Sequence, residues 1–224
     1  MERATIAEDR RLMFSLMLLT FVTGLVDAAS VLGLGRVFTA NMTGNVVFLG
    51  FALGGAQEVS IAASLVALAG FLLGAACGGR LMRSDAPRML RVVVALEVFL
   101  LLAAAGLAGL ADEHQALPRG MLLVLLAMTM GLQNAAIRRL AIPDMTTTVL
   151  TLTLTGIAAD SPLAGGTNPR LMRRVGAVLV MLGGAFVGAS LLRRGLAWTI
   201  GMAGVLDAIV LAGVSAPKGS RESG

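Results

Sequence analysis

Long apolar stretches alternate with short polar joints along this chain. Leu12 to Gly33, Ile61 to Gly79, Val92 to Leu110, Met121 to Ile137, Val175 to Leu192 and Leu196 to Val214 are almost free of charge. A helix rises 1.5 Å per residue, so about 20 residues cross the ~30 Å hydrocarbon core, and each run predicts one crossing helix. Two further segments, Val37 to Ala56 and Ile142 to Ala159, begin polar and end in short apolar pieces, Val46 to Leu53 and Val149 to Ile157. A helix of that length reaches only about 12 Å. Such a segment either crosses with an extended lead-in or enters and returns on the same side.

The pattern is written twice. Gly24-Leu25-Val26-Asp27-Ala28-Ala29 returns as Gly131-Leu132-Gln133-Asn134-Ala135-Ala136, an offset of 107. The polar knot Asn41-Met42-Thr43-Gly44-Asn45 is followed by Asp144-Met145-Thr146-Thr147-Thr148, an offset of 103. Gly70 and Gly74 are matched with Gly184 and Gly188, an offset of 114. These offsets divide a single transmembrane domain, 1–224, into halves of about 12–110 and 120–214, with short tails 1–11 and 215–224. The first run is expected to be retained rather than removed as a signal peptide, because its Gly-Leu-x-Asp/Asn-Ala-Ala element recurs deep in the chain.

Composition changes the picture only by excluding classes. Hydrophobic residues make up 57% and charged residues 14%, the mark of a polytopic helical membrane protein rather than a soluble domain. Basic residues outnumber acidic ones by 18 to 13, which is an orientation signal, not one for nucleic acid. If all eight segments crossed, Lys and Arg would divide nine and nine. If the two short segments re-enter, fourteen fall on the side of the termini and only Arg36, Arg119, Arg193 and Arg194 on the other. The positive-inside rule selects the second arrangement, with six crossings, two re-entrant half-helices and both termini cytoplasmic. Three crossings per half then turn the second half upside down. Inverted repeats with broken helices meeting at the midplane are a common plan of secondary transporters.

The polar residues inside the runs are the candidates for function. Thr20, Thr23, Gly24, Asp27 and Ser30 share one helical face, and an intramembrane Asp normally faces a cavity or a partner. Asp27 is read as a proton or cation site or as a buried acid bonding an adjacent broken helix. Its counterpart Asn134 is uncharged. Asn41, Thr43 and Asn45 with Asp144, Thr146 and Thr147 carry the amides and hydroxyls that unwound backbone requires at membrane depth. Thr43 or Asn45 is expected to cap a half-helix whose N–H groups favour an anion. Gln133 and Asn134 complete the expected substrate or ion site. Asp207 and Glu97 are candidate proton-relay partners, although at the offsets above they do not align. The alternating Thr151, Thr153 and Thr155 fit either a strand or a helix. The glycine stripes are expected to be helix-packing faces.

Catalysis is not expected: the single His114 lies in a loop, with no nucleophile arrangement, metal-ligand cluster or cofactor motif. Cys77 has no partner for a disulfide. The expected partners are the lipid bilayer and an unknown small solute or ion, and a homodimer is compatible with the pattern. Gly24 to Asp27, Val37 to Asn45, Gly131 to Asn134 and Met145 to Thr151 together resemble the YoaK family of bacterial inner-membrane proteins, over nearly the whole chain from Arg11 to Val214. The resemblance implies a bacterial plasma-membrane location and supports the span count; it supplies no substrate. Two functions remain in view, a small secondary transporter and a non-transporting assembly factor or lipid- or partner-binding protein with a structural polar core.

Overall fold

A computed structural model describes the backbone of residues 2–83, 86–112, 115–140 and 150–215, with side chains except those of 2–10 and 86–87. Its helices are α1 (Glu2–Ala28), α2 (Met42–Leu53), α3 (Ile61–Leu81), α4 (Ala86–Leu110), α5 (Ala116–Leu140), α6 (Leu150–Ala159), α7 (Leu171–Leu191) and α8 (Leu196–Ser215). Six are long and apolar enough to cross a membrane, α1 being lengthened by a π-helical turn over Ala29–Gly33; α2 and α6 are not. Phe14, Leu72, Leu73, Phe99, Leu179, Leu182 and Phe186 are all exposed, a surface that only lipid tolerates. This is an all-α polytopic membrane protein. The threonine-rich 151–155 stretch is helical, with Thr155 Oγ1 donating to the Thr151 carbonyl at 2.9 Å.

Glycines decide which helices touch. A Cβ on Gly184 would run into the Phe21 carbonyl, and one on Gly188 would stand 2.9 Å from the Leu25 carbonyl. The same occurs between α3 and α5, where Gly74 lies against the Met128 carbonyl and Gly78 against that of Leu132. Gly24 meets Met181 and Ala185, as Gly131 meets Phe71 and Ala75. The α1–α7 interface is thus repeated, residue for residue, in α5–α3. This corrects the glycine match read from the sequence. Gly74 and Gly78, not Gly70 and Gly74, correspond to Gly184 and Gly188, and the offset is 110. Glycines at 70, 74 and 78 repeat every four residues, so spacing alone leaves a one-turn ambiguity that only the partner helix resolves. At the same offset α4 begins where α8 begins, at Ala86 and Leu196, and Glu97 falls on Asp207.

The contacts also give directions. α1 and α7 are parallel, as are α3 and α5. α4 and α8 are antiparallel: Gly201 and Gly204 of α8 face Ala105 and Leu101 in reversed order. Gly33 meets Leu196 and Gly213 meets Ser15, so α1 and α8 are antiparallel too. α5 opposes α1, with Arg119 near its start donating Nε–H to the Leu34 carbonyl at 2.7 Å. That bond depends on Gly35, whose φ of +103° suits glycine and whose missing Cβ leaves room for the guanidinium. α1 and α5 form the centre of the bundle: 67% and 61% of their spanning windows are buried, against 17–33% for the other four.

Both short helices return to the end from which their segments came. Arg36, before α2, pairs with Glu58, after it, at 2.6 Å, and both line a cleft with Gln57, Ser60 and Arg119. Segment 37–56 therefore re-enters. At the opposite end, Arg174 near the start of α7 bonds the Gly156 carbonyl and Asp160 at 2.6 Å, tying down the close of α6.

Candidate functional site

The site begins where α1 loses its regular winding. Asp27 lies on its last α-helical turn, and the Ser30 hydroxyl donates back to the Asp27 carbonyl at 3.1 Å. Beyond Arg36 the backbone is irregular from Val37 to Ala40, a conformation that leaves peptide groups without helical partners. Asp27 Oδ1 accepts the amides of Thr39 at 3.1 Å and Ala40 at 2.9 Å. Asn45 supplies the other pair, its Oδ1 accepting the Phe38 amide at 2.9 Å and its Nδ2 donating to the Phe38 carbonyl at 2.6 Å. One acid and one amide thus hold this stretch of open chain inside the bundle.

A cavity of about 480 Å³ opens beside this segment. Thr23, Gly24, Asp27, Ala28, Val31 and Leu32 form one wall and Phe38, Ala40 and Asn41 the second. Leu150 and Thr151 of α6 and Met181, Ala185 and Ala189 of α7 close it from the other half of the chain. Asn41, the residue that starts α2, and Leu150 and Thr151, the first described residues of α6, all lie on the cavity, so α2 turns the positive end of its dipole toward it. Most of the wall is apolar. The Thr23 hydroxyl is already engaged, donating to the Leu19 carbonyl and accepting from Gln133 Nε2 at 2.8 Å. Asp27, Asn41 and Thr151 are the remaining polar lining.

The sequence-derived candidates separate into groups. Asp27 and Asn41 line the cavity. Asn45 stands behind the wall as its support, and Thr43 is exposed on α2. The helix cap is Asn41, which makes no side-chain capping bond. Gln133 joins α5 to α1, and Asn134 Nδ2 donates to the Met130 carbonyl at 2.8 Å; neither lines the cavity. Glu97 and Asp207 face one another across α4 and α8, away from Asp27's cavity. Asp144, Thr146 and Thr147 lie outside the described residues. Thr151 and the Met181, Ala185, Ala189 stripe were missed as lining. Their signal was the four-residue spacing of that stripe, legible only once α7 is known to lie on α1.

Residues 15–213 match a family model described as "Protein of unknown function (DUF1275)". The chain is 38% identical over 160 residues to the UPF0700 transmembrane protein YoaK of Bacillus subtilis (strain 168), covering 70% of this chain and 69% of that one. No solved structure matches. With a family match over most of its length and six helices long and apolar enough to cross a membrane, the chain belongs to the DUF1275 family, proteins of unknown function that include a transmembrane relative.

Proposed function

We propose that this protein is a small secondary transporter of the bacterial plasma (inner) membrane, built from two inverted repeats of three crossings each, with both termini cytoplasmic. The observation that carries the reading is one cavity walled by both halves of the chain, with the start of α2 and the first described residues of α6 on its lining. Inversion is supported by the helix directions, since each helix of the first half runs opposite to its counterpart in the second. Orientation is supported by charge: Arg80, Arg91, Arg138, Arg139 and Arg174 gather at one end, leaving Arg36, Arg119, Arg193 and Arg194 at the other. The apolar wall takes the body of a small solute, and Asp27, Asn41 and Thr151 orient its polar group. Rocking of one half against the other exposes the cavity alternately to each side. No enzymatic activity is proposed.

A second reading is favoured by one specific observation. Asp27 satisfies the backbone of Thr39 and Ala40, which is what a structural core of a non-transporting assembly factor or partner-binding protein requires. Thr151→Cys in a Cys77→Ala background separates the two. Impermeant maleimide is applied to right-side-out and to inside-out vesicles. A transporter labels from both faces, and a flux assay in proteoliposomes finds a solute whose presence slows that labelling. Labelling from one face or none, with no flux for any solute in a broad panel, would leave the structural reading.

A further inference from the structure

The hydrophobic core is not continuous. One cluster holds Val22, Leu25 and Val26 of α1, Leu101 and Ala104 of α4, Leu126 and Met130 of α5, and Ile200 and Ala203 of α8. The second holds Leu16 and Leu19, Val93 and Val94, Leu132 and Ala136, and Val210 of the same four helices. Between the two clusters stand Thr20 of α1, Glu97 of α4 and Asp207 of α8, with Thr23 of α1 and Gln133 of α5 bonded to each other nearby, all buried. Glu97 and Asp207 occupy equivalent positions of the two halves in antiparallel helices, so the approximate two-fold relation between the halves passes between them.

This layer is rich in acceptors and poor in donors. Glu97 Oε2, Gln133 Oε1 and both carboxylate oxygens of Asp207 are buried without a hydrogen-bond partner. Gln133 spends its amide on Thr23 Oγ1 at 2.8 Å, and the Thr20 and Thr23 hydroxyls donate to the Leu16 and Leu19 carbonyls at 2.9 Å. The threonines thus offer the layer lone pairs rather than protons. Neither acid is in an ion pair with a basic side chain among the described residues, and the Arg91 guanidinium is occupied by the Val214 carbonyl at 2.8 Å. Three orphaned carboxylate oxygens on two facing acids are a costly arrangement unless something positive completes them. Oxygen-only donors with no nitrogen or sulfur suit a hard cation.

We propose that Glu97 and Asp207 form a binding site for a hard metal cation, of the alkali or alkaline-earth type, where the two halves meet. It is distinct from the solute cavity at Asp27, and its existence does not depend on transport. Because one carboxylate comes from each half, occupancy ties the halves together and is sensitive to any rocking between them.

The test uses the purified full-length protein in detergent, melted in choline chloride and then with sodium, potassium, magnesium or calcium chloride at matched ionic strength. At least one cation is expected to raise Tm in regular steps per tenfold concentration beyond its Kd, as mass action requires. Asp207→Asn and Glu97→Gln are expected to abolish that rise while Asp27→Asn retains it. Infrared difference spectra on adding the active cation are expected to show shifted carboxylate bands, also in Asp27→Asn, which keeps the test decisive if the Asp207 variant does not fold. Identical melting of the unmutated protein in every salt, or a response lost only in Asp27→Asn, overturns the proposal. Either result leaves the solute-cavity reading standing, since that reading is judged by labelling and flux.

Discussion

Asp27 and Asp207 meet the same physical difficulty in opposite ways. Each is a carboxylate on a spanning helix, a placement that costs about 2.5–3.5 kcal/mol on insertion scales. Asp27 sits where its helix gives way to irregular chain, and the freed amides of Thr39 and Ala40 are the donors that satisfy it. Asp207 lies well inside an unbroken helix, where amides bond the carbonyls one turn back, and both of its oxygens are orphaned. Breaking a helix manufactures donors; keeping it whole leaves an acid dependent on something from outside. The interrupted region accounts for its own polar residues, and the continuous one does not.

The largest effect expected from this contrast belongs to Asp27→Leu. Two buried amides lose their acceptor at about 1–3 kcal/mol each, so the folded fraction in detergent extracts should collapse, as seen by size-exclusion of a fluorescent fusion. Asp207→Leu should have the opposite sign. Replacing an unpaired buried acid with an apolar side chain of similar size should raise the melting temperature in choline chloride by the equivalent of about 1–4 kcal/mol. If both leucine variants lose the fold alike, the contrast fails. Asp27→Asn keeps an acceptor oxygen for Thr39 and Ala40 while removing the charge. Its melting temperature should shift by the equivalent of less than about 1 kcal/mol. Combined with Thr151→Cys, it should also lose the protection that solute gives the introduced thiol against maleimide, if the charge has a role in binding. The smallest effect is expected for Arg36→Ala, because the Arg36–Glu58 pair is 62% and 82% exposed. A change of about 0.5 kcal/mol or less is anticipated, with the side on which a Gln57→Cys thiol labels unchanged.

The halves were legible because Gly24 and Asp27 recur with their neighbours as Gly131 and Asn134, and buried small residues tolerate little change where two backbones touch. Segment 37–56 was legible as re-entrant from the distribution of arginines, and the Arg36–Glu58 contact agrees. Asp27 and Asn41, which line the cavity, were singled out from polarity alone. Thr43 and Asn45 could not be sorted, since both are polar and two residues apart; only the fold turns Asn45 back onto Phe38 and leaves Thr43 facing out. The pairing of Glu97 with Asp207 was hidden by the glycine register, which sequence matching placed one helical turn out.

By itself, then, the sequence determined the class, the six spans, the two half-helices and the fact of repetition. Those follow from hydrophobic length, charge distribution and local identity, all of which are properties of the chain read in order. Only the tertiary structure decided which glycine stripe meets which helix, which polar residues share a cavity and which acids face each other. Those depend on register between helices far apart in the chain. A shift of one turn changes every side-chain partner while leaving the apolar pattern intact.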